Sequence, residues 1–231
     1  MPMNFKYLCD QYQLGRFQRA AELDPGTSSQ VWKLDTDCGA FLVRTLKDGE
    51  QGAREWNIYR HLRENGFTAM TAIVVPYFEQ NGLWYQVQEY LTGTMPDPSQ
   101  PGMTIALADL AERLCRAMPE GMIHGDFGLW NLLQLTDGRL AVIDFGEVRA
   151  GDPYFDRATL FAGVINHTSP GQRERVCREF IRELDCDRAH LLEQLGLWAE
   201  QGVRFWSGKN EQMTARFYHA LNWAKEHIYE L

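Results

Sequence analysis

The sequence predicts an α+β chain in two lobes, a β-rich first part with one main helix and a compact helical second part. Three observations carry that prediction. Apolar and polar residues alternate through several short runs before residue 92, as half-buried strands require. The tract "TGTMPDPSQPG" (92–102) then breaks the pattern with linker chemistry. Beyond about Ala158 the apolar residues recur at helical spacing to the end. Lobes over 1–91 and 92–231 are therefore expected.

The elements follow in order. "SSQVWKL" and "GAFLVRTL" alternate, with "DTDCG" as the turn of a hairpin. "GAREWNIYRHLREN" is helical, and Gly66 closes it. "TAIVVPYFE" and "GLWYQVQEYL", joined by "QNG", form a second pair of strands. After the linker, Leu107, Leu110, Ala111, Leu114 and Met118 fall on one helical face, and "RLAVIDF" reads as a short strand. Leu191, Leu195 and Trp198 share a face of a later helix, and Phe217, Leu221, Ala224 and Ile228 a face of the last. Chains of this lobed kind often bind ligands in the cleft between lobes.

Bulk properties narrow the function. With 231 residues, 45% apolar and 23% charged, the chain can bury a sizeable core. Its net charge of −8 argues against a nucleic-acid backbone as partner. The five cysteines are odd in number and scattered, without a C-x-x-C pair, so reduced thiols are expected. "MPMNFKYLCDQ" lacks the apolar core of a signal peptide, and no run approaches the roughly 18–20 apolar residues of a membrane span. A soluble cytoplasmic protein with neither nucleic acid nor membrane as partner is the expectation. No heptad or repeat advertises an interface, which favours a monomer over an assembly.

The chemistry concentrates in "MIHGDFGLWNLL" (122–133), where Asp126 and Asn131 stand in a turn beside a core strand. Asp144 in "AVIDFGE" ends another strand, and a strand–turn–strand arrangement would bring the segments together. Asn131 and Asp144 would then offer oxygens to a hard cation such as Mg²⁺, which favours few carboxylates plus phosphate oxygens and water. Asp126 would hold an incoming hydroxyl, the division of labour that phosphoryl transfer needs. The alternative is a turn whose polar side chains bond only its own backbone.

"HGDFGLWN" followed by "VIDFGEVRAGDPYFD" matches, in order and spacing, an H-G-D-x-x-x-x-N loop, an I-D-F strand end and a G-D-P-x-x-D segment. In these motifs, and more weakly through roughly residues 20–165, the sequence resembles the aminoglycoside phosphotransferase/choline kinase-like family, relatives of protein kinases. The resemblance implies a protein-kinase-like bilobal fold and a phosphotransferase using ATP and Mg²⁺. It implies Asp126 as catalytic base or hydroxyl-orienting residue, and Asn131 and Asp144 as magnesium ligands. Asp156 would brace the loop by accepting backbone N–H bonds, and His124 would pack and order it. Asp152 fits a helix cap or turn equally well. Arg157 stands where relatives more commonly place an apolar residue.

In the first lobe, Glu55, Ile58, Tyr59 and Leu62 fall on one helical face, and a carboxylate buried there needs a cation. Arg44, in "FLVRT", points to the same side of its strand as Leu42 and is the expected partner. The resemblance implies that such a strand cation holds the nucleotide's α/β-phosphates, although the family usually has Lys there. A Glu55 on a solvated face, with Arg44 pairing elsewhere, is the alternative. "DPGTSSQ" (24–30) would turn over the phosphates, with Thr27, Ser28 and Ser29 as donors; an ordinary hairpin turn fits the same residues. "QEYLTG" (88–93) resembles the hinge, so the backbone of Glu89, Tyr90 and Leu91 would pair with adenine. Leu133 and Ile143 would floor the ring, or be plain core.

The stretch between Leu91 and His124 is too short for the extra helices that usually build an aminoglycoside pocket. Trp130, Trp198, Phe205 and Trp206 would line an acceptor pocket or simply fill the core. Gly128 replaces the lysine of serine/threonine protein kinases, and no A-P-E segment follows "DFG". Both favour a small-molecule hydroxyl acceptor: an aminoglycoside-like antibiotic, an amino alcohol or a sugar metabolite. A minimal protein kinase, a nucleotide-binding pseudokinase acting as an interaction module, and a two-carboxylate phosphohydrolase are the competing readings.

Overall fold

The computed structural model describes residues 3–23, 29–184 and 186–231. The chain divides into two compact units, one of Met1–Glu64 with Met70–Thr92, the other of Asn65–Ala69 with Gly93–Leu231. The short Asn65–Ala69 segment belongs with the second because Val142 N–H donates to Ala69 C=O at 2.8 Å.

In the first unit, strands β1 (Phe17–Glu22), β2 (Val31–Thr36), β3 (Gly39–Leu46), β4 (Ile73–Gln80) and β5 (Leu83–Glu89) form an antiparallel sheet in the order β1-β2-β3-β5-β4. Successive side chains of a strand face opposite sides. On one side Val43, Tyr85 and Val87 join Leu8, Cys9 and Leu34 in an apolar core. On the other, Arg44 stands opposite Gln86 in register. Helix α2 (Gly49–Glu64) packs closely on that second side. A Cβ at Gly52 would lie 2.6 Å from the Tyr77 Cβ and 2.9 Å from Leu46.

Two elements here escape the sequence patterns, helix α1 (Phe5–Tyr12) and strand β1. Among the described residues the first unit thus carries a short helix beside its one main helix, α2. An eight-residue helix is too short to form alone. Asn4 caps it by accepting the Tyr7 N–H at 3.1 Å, and Leu8 and Cys9 anchor it in the core.

The second unit holds two small sheets and five α-helices among the described residues. Strands β6 (Gly93–Thr94), β8 (Leu132–Leu135) and β9 (Leu140–Val142) pair in the order β6-β8-β9, and β7 (Met122–Ile123) pairs with β10 (Arg149–Ala150). Helices α3 (Met103–Ala117), α4 (Pro153–His167), α5 (Pro170–Leu184), α6 (Arg188–Trp206) and α7 (Glu211–His227) complete it. The apolar face predicted for α3 is buried at Leu107, Leu110, Ala111 and Leu114. Asp152 caps α4, accepting the Tyr154 N–H at 2.9 Å with Pro153 as the first helical residue. Arg157 finds a polar place, donating to both Glu112 oxygens at 2.7 and 3.0 Å and lying over the Tyr154 ring. No helix among the described residues is long and apolar enough to cross a membrane.

Candidate active site

The H-G-D loop leaves β7 at His124 and is held by two side chains, Asp156 and Arg149. Asp156, on the first turn of α4, accepts the His124 N–H at 2.7 Å on one oxygen and the Gly125 N–H at 2.9 Å on the other. Burial pushes the Asp156 carboxyl up to about 6, with the two backbone donors and Arg149 pulling it back. Arg149 donates to Gly125 C=O at 2.9 Å. Gly125 has φ of +83°, and a Cβ there would lie 2.1 Å from the Arg149 guanidinium. Only glycine meets both the conformation and the space.

His124 is fully buried, its ring 4.8 Å from that of Phe145 and 5.7 Å from that of Phe127. Burial holds its pKa down at about 4, so the ring is neutral at pH 7 and a poor base. It packs, as the sequence suggests.

Asp126 is tethered by two neighbours. Asn131 Nδ2 donates to its backbone oxygen and to its Oδ2, both at 2.8 Å. Trp130 Nε1 donates to Oδ1 at 3.2 Å and Oδ2 at 3.1 Å. Burial raises the carboxyl to about 6; the Trp130 and Asn131 donors hold it down, while Asp144 and Glu147 push it further up. The group is ionised at pH 7 and becomes protonated as pH falls through about 6, losing the ability to accept a proton. Transfer measured as kcat/KM against pH is accordingly expected to have an acid limb near 6, with roughly a tenfold loss at pH 5.

Asn131 and Asp144 come together through the β8–β9 ladder. Leu132 pairs with Val142, and Ile143 N–H donates to Asn131 C=O at 2.9 Å. The strand stops at Val142, two residues before Asp144, because Asp144 turns into the left-handed region at φ 57°. That conformation is costly for a non-glycine residue and is typical of functional positions. Asp144 Oδ1 accepts the Gly146 N–H at 3.1 Å. Asn131 spends its amide N–H groups on Asp126, which turns its amide oxygen elsewhere. An asparagine and an aspartate brought together by the ladder fit Mg²⁺, which takes few protein ligands when phosphates supply the rest. Among the described residues no group of three His, Cys, Asp or Glu side chains could hold a metal unaided. Leu133 and Ile143 are half-buried and, by ladder register, share the Asn131 face of the small sheet.

In the first unit, Arg44 and Glu55 form a buried ion pair, with side chains 8% and 1% exposed. The alternative of a solvated Glu55 does not occur. Arg44 Nε also donates to Gln86 Oε1 at 3.3 Å, Gln88 Nε2 donates to the same oxygen at 2.6 Å, and Gln51 Nε2 donates to Glu55 Oε1 at 2.8 Å. These glutamines were not legible as site residues. Gln86 could have been found from strand register opposite Arg44, and Gln51 from its four-residue spacing to Glu55. Glu89 N–H and Tyr90 N–H donate to Ala72 C=O and Ala40 C=O at 2.9 and 3.2 Å, whereas Leu91 N–H donates to no acceptor among the described residues. Ser29 is half-buried; Thr27 and Ser28 lie outside the described residues.

The aromatic candidates separate. Trp198 is core, 4.5 Å from Phe217 between ring centres, and Phe205 and Trp206 meet edge to face at the end of α6. Trp130 is exposed and sits on Asp126.

Residues 96–191 match the model of the phosphotransferase enzyme family, and this span contains the loop, Asp144 and Asp156. Over this span the chain is similar to phosphotransferases. An aminoglycoside phosphotransferase from Alicyclobacillus acidocaldarius superposes with a TM-score of 0.69 at 12% identity, covering 100% of this chain and 98% of that one. The spectinomycin phosphotransferase APH(9)-Ia, solved with ADP and spectinomycin, gives 0.68 at 10% identity, covering 98% and 95%. A thermostable mutant of the aminoglycoside phosphotransferase APH(4)-Ia, solved with ADP and hygromycin B, gives 0.65 at 15%, covering 96% and 98%. The chain thus has the kinase-like fold of these enzymes, with a β-rich first unit and a helical second one.

Proposed function

We propose that the protein is an ATP- and Mg²⁺-dependent phosphotransferase that moves the γ-phosphate to a hydroxyl of a small molecule. One observation supports this above the others. Asp126 is half-buried yet ionised at pH 7, and it is tethered by the amide N–H groups of Asn131, which the β8–β9 ladder brings near Asp144. The hydroxyl proton passes to Asp126, the acceptor oxygen bonds to the γ-phosphorus, and ADP leaves with the bridging oxygen. The transition state is loose, so positioning matters more than the base strength of an aspartate. Asn131 and Asp144 would hold Mg²⁺, which neutralises phosphate charge.

The first lobe, over 1–91, would take the nucleotide. Arg44, oriented by Glu55, would bind the α/β-phosphates through its planar fork, and Thr27, Ser28 and Ser29 would donate to phosphate oxygens. The backbone of Glu89, Tyr90 and Leu91 would meet adenine, with Leu133 and Ile143 beneath it; the unused Leu91 N–H supports that reading. The second lobe, 92–231, would carry the catalytic loop and the acceptor site. An aminoglycoside-like antibiotic, an amino alcohol or a sugar metabolite suits the acceptor role, as the antibiotic complexes of the structural neighbours suggest. The free thiols of Cys9, Cys38, Cys115, Cys177 and Cys186 are in keeping with a reducing cytoplasm, and we take the working unit as a monomer. The formed Arg44–Glu55 pair weighs against a pseudokinase, whose ion pair need not be kept.

Calorimetry with MgATP tests this reading. The wild type is expected to bind only with Mg²⁺ present, and Asp144→Ala to bind about tenfold more weakly, roughly 1.4 kcal/mol. Equal binding by the variant would remove Asp144 from the metal site. No binding by the wild type would remove the phosphotransferase reading itself.

A further inference from the structure

Trp130 is 40% exposed, yet its one polar hydrogen is spent on the Asp126 carboxylate. The two oxygens of that carboxylate differ. Oδ2 already receives Asn131, while Oδ1 receives only Trp130 among the described residues. Oδ1 is therefore where an incoming hydroxyl would bond, and the indole N–H stands over it. At 3.1 and 3.2 Å, shared between two oxygens, the Trp130 bonds lie at the long end of the N–H···O range and are replaceable. The placement is built into the loop. A Cβ at Gly128 would lie 2.3 Å from the Trp130 ring, so glycine there lets the indole fold back over Asp126.

Trp130 is exposed rather than packed into the core, and what holds it in place is its bond to the carboxylate. Its donor covers an acceptor atom that chemistry must use. We propose that Trp130 determines specificity for an organic hydroxyl over water, covering Asp126 Oδ1 until a bound acceptor displaces the indole. This rests on the phosphotransferase reading and adds to it the residue that keeps ATP from being hydrolysed. A water molecule gains only one hydrogen bond for the one it displaces. An acceptor brings contacts elsewhere in its site, and that binding energy can move the ring. In the suppressed reaction the water oxygen would bond to the γ-phosphorus, the β–γ bridging bond would break to release ADP, and the water proton would pass to Asp126 and on to solvent.

The test needs no knowledge of the acceptor. Release of ADP and phosphate from MgATP alone is measured for the wild type, Trp130→Phe, Trp130→Ala and Trp130→Ala/Asp126→Asn. Phenylalanine keeps a ring and loses the N–H, so both single variants are expected to hydrolyse ATP about tenfold faster than the wild type. The Asp126→Asn change is expected to abolish the gain. A residue that merely supported the loop would lower the rate when removed. Single variants with wild-type melting and MgATP affinity but no faster phosphate release would overturn the proposal. Should Trp130→Ala unfold, Trp130→Phe decides alone. A wild type that does not bind MgATP overturns the phosphotransferase reading first, and that outcome is distinct.

Discussion

Asp126→Ala is expected to lower phosphate transfer about 10³-fold while leaving MgATP affinity near the wild-type value. The reason is the separation of tasks around the loop. The proposed metal contacts come from Asn131 and Asp144, and the Asp126 carboxylate contacts neither oxygen used for them. Asn131 does lose an acceptor for its Nδ2, but the Asp126 backbone oxygen, also at 2.8 Å, remains to hold the amide. Transfer and nucleotide affinity should therefore part company in this variant. If both fell together in a folded protein, Asp126 would be a nucleotide-site residue and the assignment of roles would be wrong. Asp126→Asn is the companion variant. It keeps the shape but presents no ionised acceptor, so its activity should fall similarly and lose the acid limb near pH 6.

Glu55→Ala is expected to cost about 3–5 kcal/mol of stability, because it removes the carboxylate paired with a buried guanidinium. For a chain of this size that is roughly a 10 °C fall in unfolding midpoint. Gln86 would still accept from Arg44 Nε, but the Glu55 carboxylate that balances the buried charge would be gone. Replacing the pair with apolar residues, as in Arg44→Met/Glu55→Leu, should recover most of the lost stability, since a buried ion pair barely exceeds its desolvation cost. MgATP binding should not recover, because the cation proposed to meet the phosphates is gone. Thermal melts beside calorimetry separate the two effects. A Glu55→Ala protein as stable as the wild type would show that the pair contributes no folding energy. A double variant that bound MgATP normally would take Arg44 out of the nucleotide site.

Legibility varied with the range of the interaction concerned. The hairpin, α2, α3 and the strand pair β4–β5 follow from local periodicity, so residues close in sequence carry their own signal. Helix α1 does not, since its eight residues are stable only against Leu34, Val43 and their neighbours. Strand β9 ends earlier than its apolar run because the backbone at Asp144 turns into the left-handed region and leaves the ladder.

By itself the sequence determined which chemistry is present. The spacing of Asp126, Asn131, Asp144 and Asp156, and a carboxylate on the apolar face of α2, are visible without a fold, because turn motifs and helical faces are properties of neighbouring residues. Only the tertiary structure decided how those groups are held. Arg149 fills the space beside Gly125, the glutamines close around Arg44, and the Trp130 indole lies on Asp126. Each of these depends on where a long side chain ends, and that is set by rotamers and packing rather than by position along the chain.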